Sequence, residues 1–217
     1  MQISRVKRSK SAARQAYNRL SRSYDRLAGS SETKIMHLGL KMLSVRLGDS
    51  VLEIGSGTGK ALLELSQQAG RVYGLDLSPG MIQVAHERLL KDNLEGRVQL
   101  LCGDGAALPY SNQAFSALFM SFTLELFDTP EIPLVLAECH RVLQPGGRLG
   151  VVALLKDDHP GRIVRLYEWF HEHFPAYVDC RPIDAQGMIQ TAGFRLESRL
   201  VKSMWGLPVE LVMASKV

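Results

Sequence analysis

Short apolar segments alternate with helix-forming segments along most of the chain. Five of them, "SVLEIG", "RVYGLDL", "RVQLLCGD", "FSALFMSF" and "RLGVVALL", have the length and composition of buried strands. Parallel strands need a crossover, usually a helix, so this alternation favours a parallel sheet covered on both faces. Two further strands, "FRLESRLV" and "LPVELVMAS", are joined by a link too short for a helix. We therefore predict an α/β three-layer sandwich, with a mostly parallel seven-stranded sheet and an antiparallel C-terminal strand.

The length of 217 residues fits one domain with small additions. We divide it into an N-terminal helical cap (1–46), a core (47–155), an insertion (156–180), and a C-terminal helix with a strand pair (181–217). In the cap, apolar residues at helical spacing predict one helix over 13–27 and a second one over 31–46. The first 11 residues lack periodicity, and we expect them to be frayed.

Positive charge is concentrated at the N-terminus. Residues 1–31 contain eight Lys and Arg but one acid, so the rest of the chain is slightly acidic although the net charge is +4. No apolar stretch approaches the roughly 18–20 residues that span a bilayer, and the N-terminus lacks the apolar core of a signal peptide. Three widely separated cysteines do not indicate a disulfide framework or a zinc site of paired cysteines. We therefore expect a cytoplasmic protein.

Three alternate glycines follow the first predicted strand, in the stretch "VLEIGSGTGKALLEL". Glycine is needed where φ is positive or where a ligand approaches closer than a Cβ allows, so this loop predicts a ligand lying against the backbone. The dinucleotide-binding pattern G-x-G-x-x-G is not met, because Gly59 comes one position early. A P-loop is not met either, because Lys60 is followed by Ala61.

With Glu53 in front, the loop resembles the first motif, E-x-G-x-G-x-G, of the class I methyltransferases that use S-adenosylmethionine. Further features resemble this family in the same order: Asp76 ending the second strand, Asp104 with the downstream Leu108-Pro109, and the stretch "RVLQPGGRL". The resemblance implies a Rossmann-like fold, S-adenosylmethionine as the cofactor and S-adenosylhomocysteine as the product. It also implies that Asp76 accepts hydrogen bonds from the ribose hydroxyls and that Asp104 meets the adenine amino group.

The residues that this resemblance assigns to the cofactor lie at or after the first four strands. They are Glu53, Gly55, Ser56, Gly57, Gly59, Asp76, Leu77, Met81, Gly103, Asp104, Gly105, Ala106 and Ser121. The sequence leaves a purely structural interpretation of them open. Glycines are common in tight turns, Asp76 suits a helix cap, and Met81 equally well fills a gap in the core.

Methyl transfer from a sulfonium needs the positioning of two reactants and the exclusion of water more than a catalytic triad or a metal. No metal site is predicted, because His171 and His173 are two residues apart and would lie on different faces of a helix. A base is needed only if the acceptor must lose a proton. The candidate base is Glu125, the one charge in "SFTLELF". Tyr24, the second candidate catalytic residue, would close over the ligand together with Tyr17 on the N-terminal helix. A solvated loop charge and simple packing are the alternative interpretations.

The stretch "AYNRLSRSYDRLAG" is similar to the N-terminal helix of the ubiquinone and menaquinone biosynthesis C-methyltransferases, within the type-11 group. In related enzymes an insertion after the fifth strand covers the acceptor, and here residues 159–177 hold five of the fifteen aromatic residues. Ile163, Tyr167, Phe170 and Phe174 would share one helical face. The resemblance implies a small aromatic, quinone-like or lipid-like acceptor. The chain departs from the quinone enzymes at "FTLELF" and at its C-terminal end, so the acceptor stays open.

Three alternatives remain. The basic N-terminal arm would bind RNA in a nucleic-acid methyltransferase or a binding module, but no nucleic-acid-binding motif is present and we do not expect a nucleic-acid partner. The same helix, with Arg19, Arg22 and Arg26 on one face, would instead make peripheral contact with the inner membrane surface. A third alternative is a protein that binds S-adenosylmethionine without transferring its methyl group. The sequence predicts no oligomeric state.

Overall fold

A computed structural model describes residues 5–6, 8–94, 96–156, 161–173 and 180–217. In chain order, its elements are α1 (Lys10–Leu20), α2 (Tyr24–Leu43), β1 (Ser50–Ile54), α3 (Lys60–Gln68), β2 (Arg71–Asp76), α4 (Pro79–Lys91), β3 (Val98–Cys102), β4 (Phe115–Ser121), a 3₁₀ turn (Leu124–Leu126), α5 (Ile132–Val142), β5 (Leu143–Leu154), α6 (Arg162–His173), α7 (Ala185–Thr191), β6 (Phe194–Met204) and β7 (Leu207–Lys216). The predicted alternation of strand and helix is present in the core, except that β4 follows β3 without a helix between them.

The seven strands form one sheet in the order β3-β2-β1-β4-β5-β7-β6. Strand β1 pairs in parallel with β2 and β4, and β4 pairs in parallel with β5, whereas β7 is antiparallel to both β5 and β6. The predicted fold class is therefore confirmed. The strand order reverses between β1 and β4, and in a parallel sheet the loops leaving the carboxyl ends of two such strands diverge and open a crevice.

Both faces of the sheet are covered, which explains why β4 is almost entirely apolar. One buried cluster joins α2 and α3 to the sheet and includes Leu40, Leu62 and Phe119. The cluster on the other face includes Leu136 of α5 and Ile189 of α7. These two layers hold the strand ends in place and so position the loops that follow them. Among the described helices, none is long and apolar enough to cross a membrane.

The N-terminal cap differs from its prediction. Instead of one helix over 13–27, α1 ends at Leu20 and α2 begins at Tyr24. The hydroxyls of Ser21 and Ser23 donate hydrogen bonds to the carbonyls of the residues three positions earlier. Such side-chain hydrogen bonds compete with the backbone hydrogen bonds of a helix, so the helix ends here although the helical spacing of apolar residues continues. The break predicted at 28–31 is a kink inside α2, where Gly29 has φ 70°.

A buried carboxylate fixes the start of the central strands. Asp49, just before β1, accepts hydrogen bonds from the Arg46 N–H at 2.6 Å and from Ser116 Oγ on β4 at 2.8 Å. It also pairs with Arg148 on β5. Burial alone would raise the pKa of the Asp49 carboxyl, but the hydrogen bonds and the Arg148 charge outweigh burial and lower it. The ionised carboxylate therefore stabilises the fold above its unfolded-state pKa of about 4.

We expect Asp49→Asn to lower the free energy of unfolding at pH 7 by about 1–3 kcal/mol, because Arg148 then faces no charge. The pKa of Asp49 is lowered in the native state, so the stabilisation by the ionised carboxylate is lost as the pH falls through this pKa. The difference in unfolding free energy between the wild type and Asp49→Asn should therefore become smaller below about pH 4. Urea denaturation at pH 7 and at about pH 3.5 measures both values. The exposed Asp92→Asn is the control, expected within about 0.5 kcal/mol of wild type. The prediction would be contradicted if the unfolding free energies of the wild type and Asp49→Asn differed by the same amount at both pH values.

Candidate cofactor-binding site

A cavity of about 420 Å³ opens at the carboxyl ends of β1, β2 and β4, where the strand order reverses. Its wall consists of the loops after these strands, the loop after β3 and the first part of α1. Nine of the residues assigned to the cofactor line it: Gly55, Gly57, Asp76, Leu77, Met81, Gly103, Asp104, Gly105 and Ser121. The structure thus gathers most of the predicted donor site around one space.

The glycine loop has left-handed backbone conformations. The φ angle is 73° at Gly55, 51° at Gly57 and 80° at Gly59, which other residues rarely adopt. A Cβ on Gly59 would lie 3.0 Å from the Cβ of Ala85, whereas a Cβ on Gly57 would meet no atom within 4 Å beyond its neighbours. Gly59 therefore serves packing against α4 and does not line the cavity. The bare Gly57 leaves room there for a ligand.

Asp76 connects the glycine loop to the turn before α4. Its carboxylate accepts one hydrogen bond from the Gly57 N–H and one from the Ser78 N–H, each at 2.8 Å. Burial raises the pKa of this carboxyl, and the two backbone donors oppose the rise. A carboxylate oxygen can accept two hydrogen bonds, so each oxygen retains an acceptor site beside the cavity. This arrangement fits the two neighbouring hydroxyls of a ribose.

Asp104 follows β3 and lines the cavity. One of its oxygens accepts the Ala106 N–H at 2.9 Å, so Ala106 holds Asp104 in place although it does not itself line the cavity. The other oxygen accepts a hydrogen bond from Lys10 Nζ at 2.6 Å. Asp104 is thus a fixed hydrogen-bond acceptor, which suits the amino group of an adenine.

A smaller recess of about 80 Å³ lies next to the glycine loop. Glu53 and Ser56 line this recess and not the main cavity, whereas Tyr24 lines both. Glu53 is almost fully buried; burial, and then the charge of Asp76, raise its pKa well above the ordinary value. One of its carboxylate oxygens has no hydrogen-bond partner among the described residues. A buried acid with an unused oxygen fits a cationic group of a ligand.

The two candidate catalytic residues, Tyr24 and Glu125, occupy different surroundings. Tyr24 begins α2, and its ring centroid lies 6.1 Å from that of Tyr17, which also lines the cavity. Glu125, in the 3₁₀ turn, is fully buried and is not part of the cavity wall. One of its oxygens accepts the Leu154 N–H at 3.2 Å. Glu125 therefore holds the turn to the end of β5, and the structure does not bring it to the cavity.

The described part of the N-terminal segment, which we expected to be frayed, forms part of the cavity wall through Val6, Arg8, Ser9 and Lys10. Arg5 Nε donates to the two carboxylate oxygens of Asp128 at 2.8 and 3.0 Å, and the Val6 N–H donates to the same group at 3.0 Å. Lys10 Nζ, besides Asp104, pairs with Glu131 at 2.8 Å. The hydrogen bond from Arg5 holds the pKa of the Asp128 carboxyl well below its usual range. The signal in the sequence was charge: a basic arm, and two acids in "FDTPE" after the fourth strand.

Polar side chains also fasten the cap helices to the loops. Asn18 Oδ1 on α1 accepts hydrogen bonds from Ser78 Oγ at 2.6 Å and from the Gly80 N–H at 2.9 Å. Asp25 on α2 accepts a hydrogen bond from Thr58 Oγ1 in the glycine loop at 2.7 Å. The cap is therefore bonded to both loops that hold Asp76.

The described part of the insertion does not cover the cavity, because none of the described residues of α6 lines the cavity. The Tyr167 hydroxyl donates to the Cys180 carbonyl at 2.9 Å, whereas Ile163 and Phe170 are exposed. Phe174, the fourth member of the predicted face, lies outside the described residues. The prediction that this face lies over the acceptor is not supported by α6.

Residues 51–147 match the family described as a methyltransferase domain. This stretch begins in β1 and contains the glycine loop, Asp76 and Asp104. The chain contains a methyltransferase domain. The resemblance predicted from the glycine loop and the two aspartates is thereby confirmed, and so is S-adenosylmethionine as the cofactor that it implies.

Among curated proteins, the chain is 35% identical over 163 residues to the demethylmenaquinone methyltransferase of Tropheryma whipplei (strain Twist), covering 71% of this chain and 64% of that protein. It is 33% identical over 141 residues to the demethylmenaquinone methyltransferase of Lactobacillus johnsonii, covering 63% of this chain and 56% of that protein. It is 29% identical over 164 residues to the ubiquinone/menaquinone biosynthesis C-methyltransferase UbiE of Legionella pneumophila (strain Corby), covering 72% and 64%. The chain thus spans 56–64% of the length of these relatives.

Solved structures share the fold at low sequence identity. The cyclase SpnF gives a TM-score of 0.78 at 18% identity, covering 96% of this chain and 97% of that chain. The geranyl diphosphate C-methyltransferase of Streptomyces coelicolor A3(2) gives a TM-score of 0.69 at 14% identity, and the match covers 85% of this chain and 77% of that chain. The fold alone is shared at this level, and it carries both cyclase and methyltransferase activities in these two proteins.

We expect Gly57→Ala to weaken the binding of S-adenosylmethionine and S-adenosylhomocysteine by about tenfold or more, because the added methyl group occupies ligand space. Gly146→Ala is the matched control: φ is 72° there and a Cβ would also meet no atom within 4 Å, but Gly146 lies near the start of β5 and not in the cavity wall.

Both variants should lose about 1–2 kcal/mol of stability, the cost of a left-handed alanine. Calorimetric titration should find the loss of affinity in Gly57→Ala alone. Equal affinities in the two variants would contradict the role given to Gly57.

Proposed function

We propose that the protein is a methyltransferase that transfers the methyl group of S-adenosylmethionine to a small aromatic, quinone-like acceptor. The composition of one cavity carries this proposal. The donor residues Gly57, Asp76 and Asp104 share the space with a group of aromatic and aliphatic side chains, namely Tyr17, Phe122, Leu126 and Phe127. Donor and acceptor would therefore be held side by side in one enclosure, as methyl transfer requires.

The donor end of the cavity and the neighbouring recess would hold the cofactor through polar groups. Asp76 would accept hydrogen bonds from the ribose hydroxyls, and Asp104 would accept one from the adenine amino group. The carboxylate oxygen of Glu53 that has no partner among the described residues suits the ammonium at the amino-acid end of the cofactor. When bound, S-adenosylmethionine supplies a methyl group that its sulfonium has already activated. The residues of the chain consequently have to orient the two reactants and keep water out.

The acceptor end of the cavity is largely apolar. Phe122, Leu126 and Phe127, which follow β4, line it together with Ala13 and Tyr17 of α1. Such a surface binds a flat hydrophobic ring and excludes water from the path of the methyl group. The curated relatives are named for menaquinone and ubiquinone precursors, which supports a quinone-type ring.

Three carboxylates of the cavity wall, those of Asp104, Asp128 and Glu131, pair with cations of the N-terminal segment. Arg5 lowers the pKa of the Asp128 carboxyl, and Lys10 pairs with Asp104 and Glu131. The lowered pKa makes the Asp128 carboxylate a weak general base at neutral pH. We therefore assign positioning as the main contribution of the chain. Tyr24, which lines both the cavity and the recess, is the residue proposed to orient an oxygen of the acceptor.

Two cations of the basic N-terminal arm, Arg5 and Lys10, are engaged in the fold, which weighs against a nucleic-acid substrate. Arg5 and Lys10 pair with acids at the cavity. Ala13 and Tyr17, from the apolar side of α1, line the cavity itself. A small-molecule acceptor therefore explains the arm better than RNA does.

The direct test is transfer of labelled methyl from S-adenosylmethionine to reduced quinones. We expect labelled product with a 1,4-naphthoquinol and with its prenylated form. Leu126→Ala should raise the KM for the quinol several-fold and leave the Kd for S-adenosylhomocysteine unchanged, because Leu126 lies at the apolar end. Leu134→Ala, at an exposed position of α5, is the control and should change neither value.

Two results would contradict the proposal. Labelling of RNA without labelling of any quinol would identify a nucleic-acid methyltransferase. Binding of S-adenosylhomocysteine without transfer to any quinol or phenol would identify a non-catalytic binding protein.

A further inference from the structure

A patch of large apolar side chains is exposed on α6 and on the turn between β6 and β7. It consists of Ile163, Leu166, Trp169, Phe170 and Trp205, which are 55%, 57%, 47%, 41% and 57% exposed. None of these five lines the cavity, and both tryptophans of the chain are among them. Grouped exposed apolar side chains mark a surface that meets a partner or a membrane.

The packing of α6 fixes which of its faces is exposed. Val164 and His171 are buried against the domain. The exposed apolar residues recur at spacings of three and four from Ile163, so they lie on a neighbouring face of the helix. The rings of Trp169 and Phe170 lie 5.2 Å apart on it. The helix is thus apolar on its exposed side as well as on its buried side, which covering a core does not require.

The conformation of Trp205 gives independent support. Trp205 and Gly206 form the two-residue turn between β6 and β7, with φ angles of 53° and 81°. Asn-Gly is the sequence that favours such a turn, and a bulky residue at positive φ is unfavourable. The exposed indole is therefore better explained by a contact outside the chain than by the stability of the turn.

The turn and α6 form one continuous surface close to the cavity. A Cβ on Gly206 would lie 2.9 Å from Ile163 Cδ1, so the turn packs on α6. Trp205 lies beside Gly29, the kink of α2, and the same helix begins at Tyr24 in the cavity wall. Strand β6 runs parallel to β5, so the turn after it lies at the edge of the sheet that holds the cavity.

The charges at the border of the patch favour an anionic membrane. Arg165 on α6 and Lys202 near the end of β6 are exposed. Glu168, the acid of α6 whose side chain is described, is already paired with Lys156. Trp, Phe and Leu beside Arg and Lys are typical of segments that lie between lipid headgroups and acyl chains. We propose that this patch binds the surface of an anionic lipid bilayer.

Helix α1, for which the sequence suggested a membrane contact, is less suited to that contact than the patch. Ala13 and Tyr17 line the cavity, so the apolar side of α1 is occupied within the fold. Only the arginines of α1 would then face a bilayer, without apolar side chains to insert. Membrane binding through the patch does not depend on the identity of the methyl acceptor.

The test is co-sedimentation with vesicles of phosphatidylcholine containing roughly 30% phosphatidylglycerol, and with phosphatidylcholine alone. We expect the wild type to bind the anionic vesicles and its tryptophan fluorescence to shift to the blue, since both tryptophans lie in the patch. The double variant Leu166→Gln/Trp205→Asn should lower the partition coefficient about tenfold or more, and Trp205→Asn also favours the turn. The control Leu47→Gln/Leu134→Gln changes two exposed leucines elsewhere and should bind like the wild type.

The proposal is overturned if the wild type does not bind anionic vesicles, or if the patch variant and the control bind equally. It is also overturned if Arg14→Gln/Arg19→Gln abolishes binding while the patch variant retains it, which would assign the contact to α1. Methyl transfer to a water-soluble naphthoquinol is measured in the same samples. The patch variant should retain it, so a failure of membrane binding is distinguishable from a failure of the proposed function.

Discussion

The two hydrogen bonds that Asp76 accepts, from Gly57 and Ser78, are the constraint on which the site depends. They join the loops that leave β1 and β2, and thereby fix the backbone of the glycine loop beside the crevice of the sheet. Because the acceptor is charged, each bond contributes about 1.5–3 kcal/mol. Burial raises the pKa of Glu53 and the charge of Asp76 raises it further, so Asp76 also contributes to the electrostatics of the recess next to the loop.

The cap depends on this arrangement in a different way. Helix α1 has no buried residue, so polar contacts hold it more than core packing does. Asn18 bonds to the turn before α4, and Lys10 and Arg5 pair with acids beside the cavity. Partly exposed ion pairs are individually weak and are screened by salt. Helix α1 therefore separates from the core at a lower free energy than α2 or α3, whose apolar residues are buried against the sheet.

Local signals in the sequence predicted the fold and most of the donor site, because Gly57, Asp76 and Asp104 lie close to the ends of strands that the apolar pattern identifies. The features that escaped prediction depend on contacts between distant residues. Arg5 and Asp128 are 123 positions apart, so no local pattern indicates that they meet. The burial of Glu125 depends on a 3₁₀ turn held to the end of β5. The cofactor contacts and the role of Tyr24 stay predictions.

Calorimetric titration of S-adenosylhomocysteine into the wild type and into Asp76→Asn measures whether the Asp76 carboxylate holds the donor. Asparagine keeps the size of aspartate and removes the charge and one acceptor oxygen. With the fold retained, as judged by thermal unfolding, we expect a Kd in the micromolar range for the wild type and binding weaker by about tenfold or more for the variant. An unchanged Kd in a folded Asp76→Asn protein would contradict a donor site built on this carboxylate.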